Sequence, residues 1–365
     1  MSKNGRVIVA MSGGVDSGVA AARLHDDGHE VVGVTLHLWD YPEKGPGSHG
    51  RCCAPEDQYD ARRTADALGF AHYTFDRREL FERAIVEPFV DAYLQGETPS
   101  PCTACNRTVK LRELLGIAKH LGADSIATGH YAQTGRDEMG RPFIAEGRDK
   151  QKDQSYFLYA TPHELVERLV FPLGASTKTE VREEAVARKL PGATKGESQE
   201  LCFVGSGAHA YTDFVRTRAG DRIRPGRILD NQGIVVGEHD GLHAFTIGQR
   251  KGIGVALGKP AFVTRIDPND ASVHLGSADD LMSFDADLDD VVLAPGITLD
   301  VPRSARVRIR YRNAGHDALV QPTGRSTARV RFEEPARAVT VGQIAVFYDG
   351  ERVLGGGRIC NARDS

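Results

Sequence analysis

The sequence has no apolar run of about 20 residues, which excludes a membrane-spanning helix. Its start, Met1-Ser2-Lys3-Asn4-Gly5, passes straight into a strand-like run without an apolar signal segment, so a cytoplasmic protein is expected. Cysteine is scarce: Cys52, Cys53, Cys102, Cys105, Cys202 and Cys360 are all there are among 365 residues. In a reducing compartment so few thiols point to catalysis or metal binding rather than to structural disulfides. An excess of positive charge is also lacking. The net charge is −4, so a nucleic-acid partner would need a local basic surface. No repeat or low-complexity tract appears. The length suits two or three domains.

The first two hundred residues alternate strand and helix patterns. Val7–Met11 reads as a buried parallel strand ending at a Ser-Gly-Gly turn. Helices are expected over 17–27, 56–68, 79–94 and 108–121, with strands over 30–36, 72–75 and 124–128. Helical patterns continue at 162–170 and 178–190. Such alternation predicts a doubly wound α/β domain with a parallel sheet. Beyond about residue 205 short β runs take over, at 226–229, 233–236, 243–247 and 262–266, then at 305–311, 328–332 and 344–348. The expected architecture is an α/β domain over 1–205, a small central β domain over 206–282 and a C-terminal β-barrel over 283–365. In 305–311 and 328–332 arginines alternate with apolar residues, which places arginines on one face and the core on the other.

Ser12-Gly13-Gly14-Val15-Asp16-Ser17 lies between the first strand and the first helix. Its glycines allow a tight turn and close approach to a ligand. The helix N-terminus that follows offers unpaired N–H groups and a positive dipole end to phosphate. No Gly-Lys-Ser/Thr is present, so this is not a Walker A loop. The segment resembles the PP-loop of ATP pyrophosphatases, which transfer AMP and release pyrophosphate. The bland alternative is a strand-to-helix turn capped by Ser and Asp.

Two cysteine segments add to this. Ser100-Pro101-Cys102-Thr103-Ala104-Cys105-Asn106 is expected in the loop before the fourth helix, where the helix dipole favours thiolate. Ser198-Gln199-Glu200-Leu201-Cys202-Phe203 ends the α/β region. Two cysteines far apart in sequence suit a sulfur relay. Cys360 reads as a core residue.

Through these segments the chain resembles the bacterial tRNA-specific 2-thiouridylases over nearly its whole length. The resemblance also includes Cys52-Cys53 with Asp57 and Asp60–Arg63, Thr128–Ala132, Lys152–Phe157, Thr246–Gly252, Arg310-Tyr311 and Gly342-Gln343. It implies that ATP, with Mg2+, is held by Ala10, Met11, Ser12, Gly13, Gly14, Val15, Asp16, Ser17, Leu36 and Gly129. It implies adenylation of the C2 oxygen of the wobble uridine, U34, in transfer RNA. Sulfur then comes from a persulfide on Cys202, with Cys105 as nucleophile and a transient Cys105–Cys202 disulfide. Ser100, Pro101, Cys102, His130, Lys152, Asp153, Gln154, Arg310, Tyr311 and Gln343 fall on tRNA-contacting positions. The implied partners are tRNAs for Lys, Glu and Gln, and a cysteine desulfurase or sulfur-relay protein as donor. A monomer is expected.

Two readings of the residues stand beside the resemblance. Arg303, Arg306, Arg308, Arg310, Arg312, Arg325, Arg329, Arg331 and Arg337 face only Asp317, Glu333 and Glu334 within one stretch. That is a local basic footprint for RNA phosphates, or else a solvated strand face. Many family members carry Asp where this chain has Cys102, which puts the Asp's acid–base role in doubt here. Cys102, Cys105 and Cys202 could instead ligate an iron–sulfur cluster or zinc, or Cys52-Cys53 could pair with this loop. The rival function is another PP-loop adenylating synthetase.

Overall fold

The computed structural model describes residues 4–40, 55–196, 201–205, 207, 210–256 and 258–363. Cys52, Cys53 and Ser198–Glu200 lie outside the described residues.

The first domain is built on β1 (Asn4–Ala10), β2 (His29–His37), β3 (Ala71–Asp76) and β4 (Ser125–Ala127). A hairpin follows, β5 (Ala132–Arg136) and β6 (Pro142–Glu146), and then the short β7 (Leu169–Val170). The sheet order is β3-β2-β1-β4-β7, with all pairs parallel. Val7, Ile8 and Val9 have no solvent exposure, as a central strand covered on both faces requires. The chain order reverses between β1 and β4. That makes the carboxyl end of β1 the switch point where a crevice opens. Residues 11–14 occupy it, and α1 (Val15–Asp26) leaves from it.

The helices begin and end partly elsewhere than expected. Arg78–Phe81, Glu82–Val86 and Glu87–Leu94 run end to end. So do Pro101–Cys105, Asn106–Lys110 and Leu111–His120, which moves the start of this helix from 108 back to 101. Cys102 and Cys105 therefore sit within a helix, not in a loop before one. Pro101 explains the start, since its fixed φ and missing N–H cost nothing in a first turn. The pattern at 162–170 gives only His163–Val166, followed by β7. The helix Lys178–Ala187 opens on a capping box between Thr177 and Glu180.

The second sheet has β8 (Gly226–Leu229), β9 (Val235–His239), β10 (Phe262–Asp267) and β11 (Ser272–Gly276), in the order β10-β11-β8-β9. Its core holds Ile228, Val263 and Val273. The expected strand at 243–247 is absent. Leu242–Ala244 forms a short 3-10 turn there, which buries His243.

The third unit has β12 (Met282–Leu293), β13 (Arg303–Arg308), β14 (His316–Gly324), β15 (Thr327–Arg337), β16 (Ile344–Asp349) and β17 (Arg352–Arg363). They run β12-β15-β14-β13-β16-β17, and β12 pairs back onto β17, closing a six-stranded barrel. Closure removes the exposed edges. The hairpin β5–β6 joins this sheet through Arg352 opposite Ala145. The α/β domain thereby shares a sheet with the barrel. The strand expected over 305–311 stops at Arg308, and Arg310–Arg312 lie in the turn beyond it.

Candidate active site

A cleft of about 920 Å³ opens at the carboxyl end of β1. Ser12, Gly14, Val15 and Asp16 line one side, and Ser100, Pro101 and Cys102 another. Lys152, Gln154, Tyr156 and Phe157 come from the segment after the hairpin. Arg310, Tyr311, Arg312 and Gln343 come from the barrel. Lys152, Lys178, Lys195, Arg310 and Arg312 stand against Asp16 and Asp57 along the lining, so the cleft is positive although the chain is acidic.

The phosphate loop is held from below. Met11 N donates to Val34 O at 2.8 Å, and Thr35 Oγ1 donates to Met11 O at 2.6 Å. Ser17 Oγ accepts from Ser12 N at 3.2 Å and donates to Gly14 O at 3.0 Å. Gly13 has φ +76°, and a Cβ there would lie 1.9 Å from Asp57 O. Only glycine fits. A Cβ on Gly129 would lie 2.9 Å from Ser17 N, so this glycine lets β4 approach α1. Gly14 is the N-cap of α1, and no side chain caps the helix. Its first N–H groups therefore face the cleft side of the turn as a ready anion cradle.

Acids and lysines rim this cradle. Tyr131 Oη donates to Asp16 Oδ1 at 2.8 Å, and Lys178 Nζ lies 2.7 Å from both Asp16 oxygens. Lys195 Nζ lies 2.8 Å from Asp57 Oδ1 and 2.5 Å from Asp60 Oδ2. Burial pushes the Asp57 carboxyl above its ordinary value, against the opposing pull of Lys195. Burial alone would lower Lys195, but its hydrogen bonds to Asp57 and Asp60 hold it above its ordinary value.

The thiols divide in their exposure. Cys102 is exposed and lines the cleft. Cys105, one turn further along the same helix, is buried in the main apolar core at 4% exposure. Cys202 is half-buried and packs against that same core. Cys360, expected in the core, is exposed instead, because Ile359 takes the inward face of β17. Among the described residues no three His, Cys, Asp or Glu side chains converge as metal ligands. Cys102, Cys105 and Cys202 are not gathered into such a group. The cleft fits a polyphosphate. For magnesium it offers Asp16 and Asp57, each already bound to a lysine.

The remaining expected residues are placed as follows. Lys152, Gln154, Arg310, Tyr311 and Gln343 face the cleft. Gln154 Oε1 accepts from Tyr131 N at 3.0 Å. Gln343 Oε1 is buried without a hydrogen-bond partner. Phe157 and Tyr311 lie with ring centroids 4.5 Å apart, and the Arg312 guanidinium sits 5.8 Å from the Tyr311 ring. Such a cluster suits stacking against an unstacked base. Asp153 turns the other way. It is buried, pairs with Arg308 at 2.7 Å, and accepts from Gly147 N and Ser155 N. His130 lies beside Thr128 Oγ1 at 2.6 Å. Burial first, and Lys110 second, lower its pKa to about 3, so it is neutral.

The arginine stretch is less basic in space than in sequence. Arg303 meets Asp349, Arg306 and Arg308 meet Glu146, and Arg329 meets Asp287. Each acid comes from outside 303–337. Burial disfavours the Glu146 carboxylate, yet Arg306 and Lys150 hold its pKa below the ordinary range. Lys178 and Lys195 were not expected at the site, since neither belongs to a local motif.

Relatives resolve the family. The curated protein "tRNA-specific 2-thiouridylase MnmA" of Sorangium cellulosum is 57% identical over 363 residues, covering 98% of this chain and 93% of its own. That of Moorella thermoacetica is 47% identical, covering 96% and 98%. That of Paramagnetospirillum magneticum is 44% identical, covering 99% and 96%. The chain belongs to the tRNA-specific 2-thiouridylase family. Three family descriptions match it in order. They are the tRNA methyl transferase HUP domain over residues 5–206, the tRNA methyl transferase PRC-barrel domain over 212–277, and the aminomethyltransferase beta-barrel domain over 293–359. The thiouridylase fold thus accounts for the parallel sheet, the small central β unit and the closing barrel.

Proposed function

We propose that the cleft uses ATP to replace the C2 oxygen of the tRNA wobble uridine, U34, with sulfur. One observation carries the reading. A phosphate cradle, a cysteine-bearing helix and an aromatic–basic wall from the barrel line a single cleft.

A uridine carbonyl is a poor electrophile with a poor leaving oxygen. Ser12, Ser17 and the N-terminus of α1 hold the triphosphate, so that the C2 oxygen displaces pyrophosphate from the α-phosphorus. The oxygen then leaves as AMP. A persulfide on Cys202 supplies the sulfur. Cys105 attacks Cys202 Sγ, releases hydrosulfide and forms a Cys105–Cys202 disulfide, and the hydrosulfide attacks C2. A thiol reductant restores both cysteines. Cys105 belongs to the apolar core against which Cys202 packs, away from bulk water. Magnesium accompanies ATP, and Asp16 and Asp57 are the cleft carboxylates that would hold it once released from Lys178 and Lys195.

Tyr311, Phe157 and Arg312 stack the flipped base, and Gln343 offers its unpartnered Oε1. Lys152, Gln154 and Arg310 contact the RNA. Asp153 does not reach the RNA in this reading; it holds Lys152 and Gln154 in place. Acceptors for Lys, Glu and Gln, a cysteine desulfurase or relay protein as donor, a monomeric state and a cytoplasmic setting complete the proposal.

ATP–pyrophosphate exchange with unmodified tRNA tests the adenylation half. Exchange that depends on tRNA and survives Cys105→Ser supports it. Exchange that needs no tRNA points to another adenylating synthetase.

A further inference from the structure

Two ammonium groups border the phosphate loop, and both are held by carboxylates. Lys178 reaches Asp16, in the first turn of α1. Lys195 reaches Asp57, whose carbonyl oxygen is the atom that crowds Gly13. Both lysines line the same cleft as Ser12 and Gly14. Their side chains are only 12% and 26% exposed. Drawing two ion pairs this far out of water costs free energy that their attraction only partly offsets. The α1 terminus between them has no side-chain cap and presents its dipole to the same space.

We propose that Lys178 and Lys195 are the cations that grip the β- and γ-phosphates of ATP, and that Asp16, and Asp57 with Asp60, hold them in store until ATP arrives. The proposal rests on the reading of the cleft as an ATP site. A triphosphate carries several negative charges where each carboxylate carries one. It therefore competes for both ammonium groups within the reach they already have. The exchange makes and breaks no covalent bond and moves no proton. When pyrophosphate leaves, the lysines return to Asp16, Asp57 and Asp60, which keeps them oriented for the next ATP.

The difference between ATP and AMP isolates the claim, because AMP lacks the two phosphates. Titration calorimetry on the full-length protein would use inorganic pyrophosphate, ATP and AMP as separate probes. Lys178→Met and Lys195→Met should each weaken pyrophosphate and ATP binding by about tenfold or more, as loss of a charge-assisted contact predicts. AMP binding should stay within about twofold of wild type. Lys178→Arg and Lys195→Arg keep the charge and should retain most of the affinity, which covers the case of a methionine variant that fails to fold. Equal weakening of AMP and ATP would overturn the proposal by showing a collapsed site, and so would unchanged ATP binding. Wild-type protein that binds neither ATP nor pyrophosphate would overturn the ATP reading as well. The expected binding pattern in a protein that leaves tRNA unthiolated would uphold this proposal and sink only the thiolation.

Discussion

Arg308 Nη1 lies 2.7 Å from Asp153 Oδ2 in an ion pair closed off from solvent. The same guanidinium reaches Glu146 and donates to the carbonyl of Tyr311. It thus ties Lys152 and Gln154 on one wall to Arg310 and Tyr311 on the other. Arg308→Met would strand the buried Asp153 carboxylate, while Glu146 keeps Arg306 and Lys150, a loss of about 3–5 kcal/mol. The expected outcome is a lower Tm together with a raised KM for tRNA and an unchanged KM for ATP. A tRNA KM equal to wild type would contradict this positioning role.

Gly13 and Gly14 should respond differently to the same change. Gly13→Ala forces a side chain to a positive φ, costing about 1–2 kcal/mol, and drives its Cβ into Asp57 O. Loss of ATP binding by at least about tenfold is expected, since that is only about 1.4 kcal/mol. At Gly14 φ is −81°, and the nearest atom to an added Cβ is Ser12 Oγ at 3.5 Å. Gly14→Ala should bind ATP within about threefold of wild type, in line with the small cost of changing an N-cap glycine. Calorimetric titration of both variants checks the contrast.

The parallel sheet and the phosphate loop were legible because buried strands and glycine turns write local signals. The β5–β6 hairpin was not. Gln133-Thr134-Gly135 carries little apolar periodicity, and its partner β17 lies two hundred residues away. Arg308 was misread for a related reason. Alternation predicts a solvent face, but the hairpin covers that face and supplies Glu146 as counter-charge. The helix start at Pro101 is a local signal, since proline suits a first helical turn, although the Ser-Pro-Cys segment also fits a loop. Lys178 and Lys195 follow no spacing rule, since only the fold brings them to Asp16 and Asp57.

His130 should make the protein acid-sensitive. Its folded pKa of about 3 lies below the ordinary 6.5, so the unfolded chain takes up a proton more readily between those values. The stability it contributes is fully present above pH 6.5 and is lost as pH falls toward 3. Thermal unfolding of His130→Gln from pH 7 to pH 4 should show a shallower decline in Tm than wild type. Parallel declines would contradict the lowered pKa of this half-buried imidazole.

Cys102 lines the cleft, at a position where the family resemblance implies Asp. If it serves the base directly, Cys102→Ala should slow thiolation and Cys102→Asp should restore it. The protein purified without oxygen should be iron-free and lack cluster absorbance near about 400 nm. Stoichiometric iron that is lost in Cys102→Ser would contradict the metal-free account.

The most direct test of the central claim is transfer of radiolabelled sulfur from cysteine into unmodified tRNA, with a cysteine desulfurase and ATP. The account predicts label in tRNA with wild type and none with Cys105→Ser or Cys202→Ser. Label that persists in both variants, or its absence from wild type while ATP is still split to pyrophosphate, would contradict it.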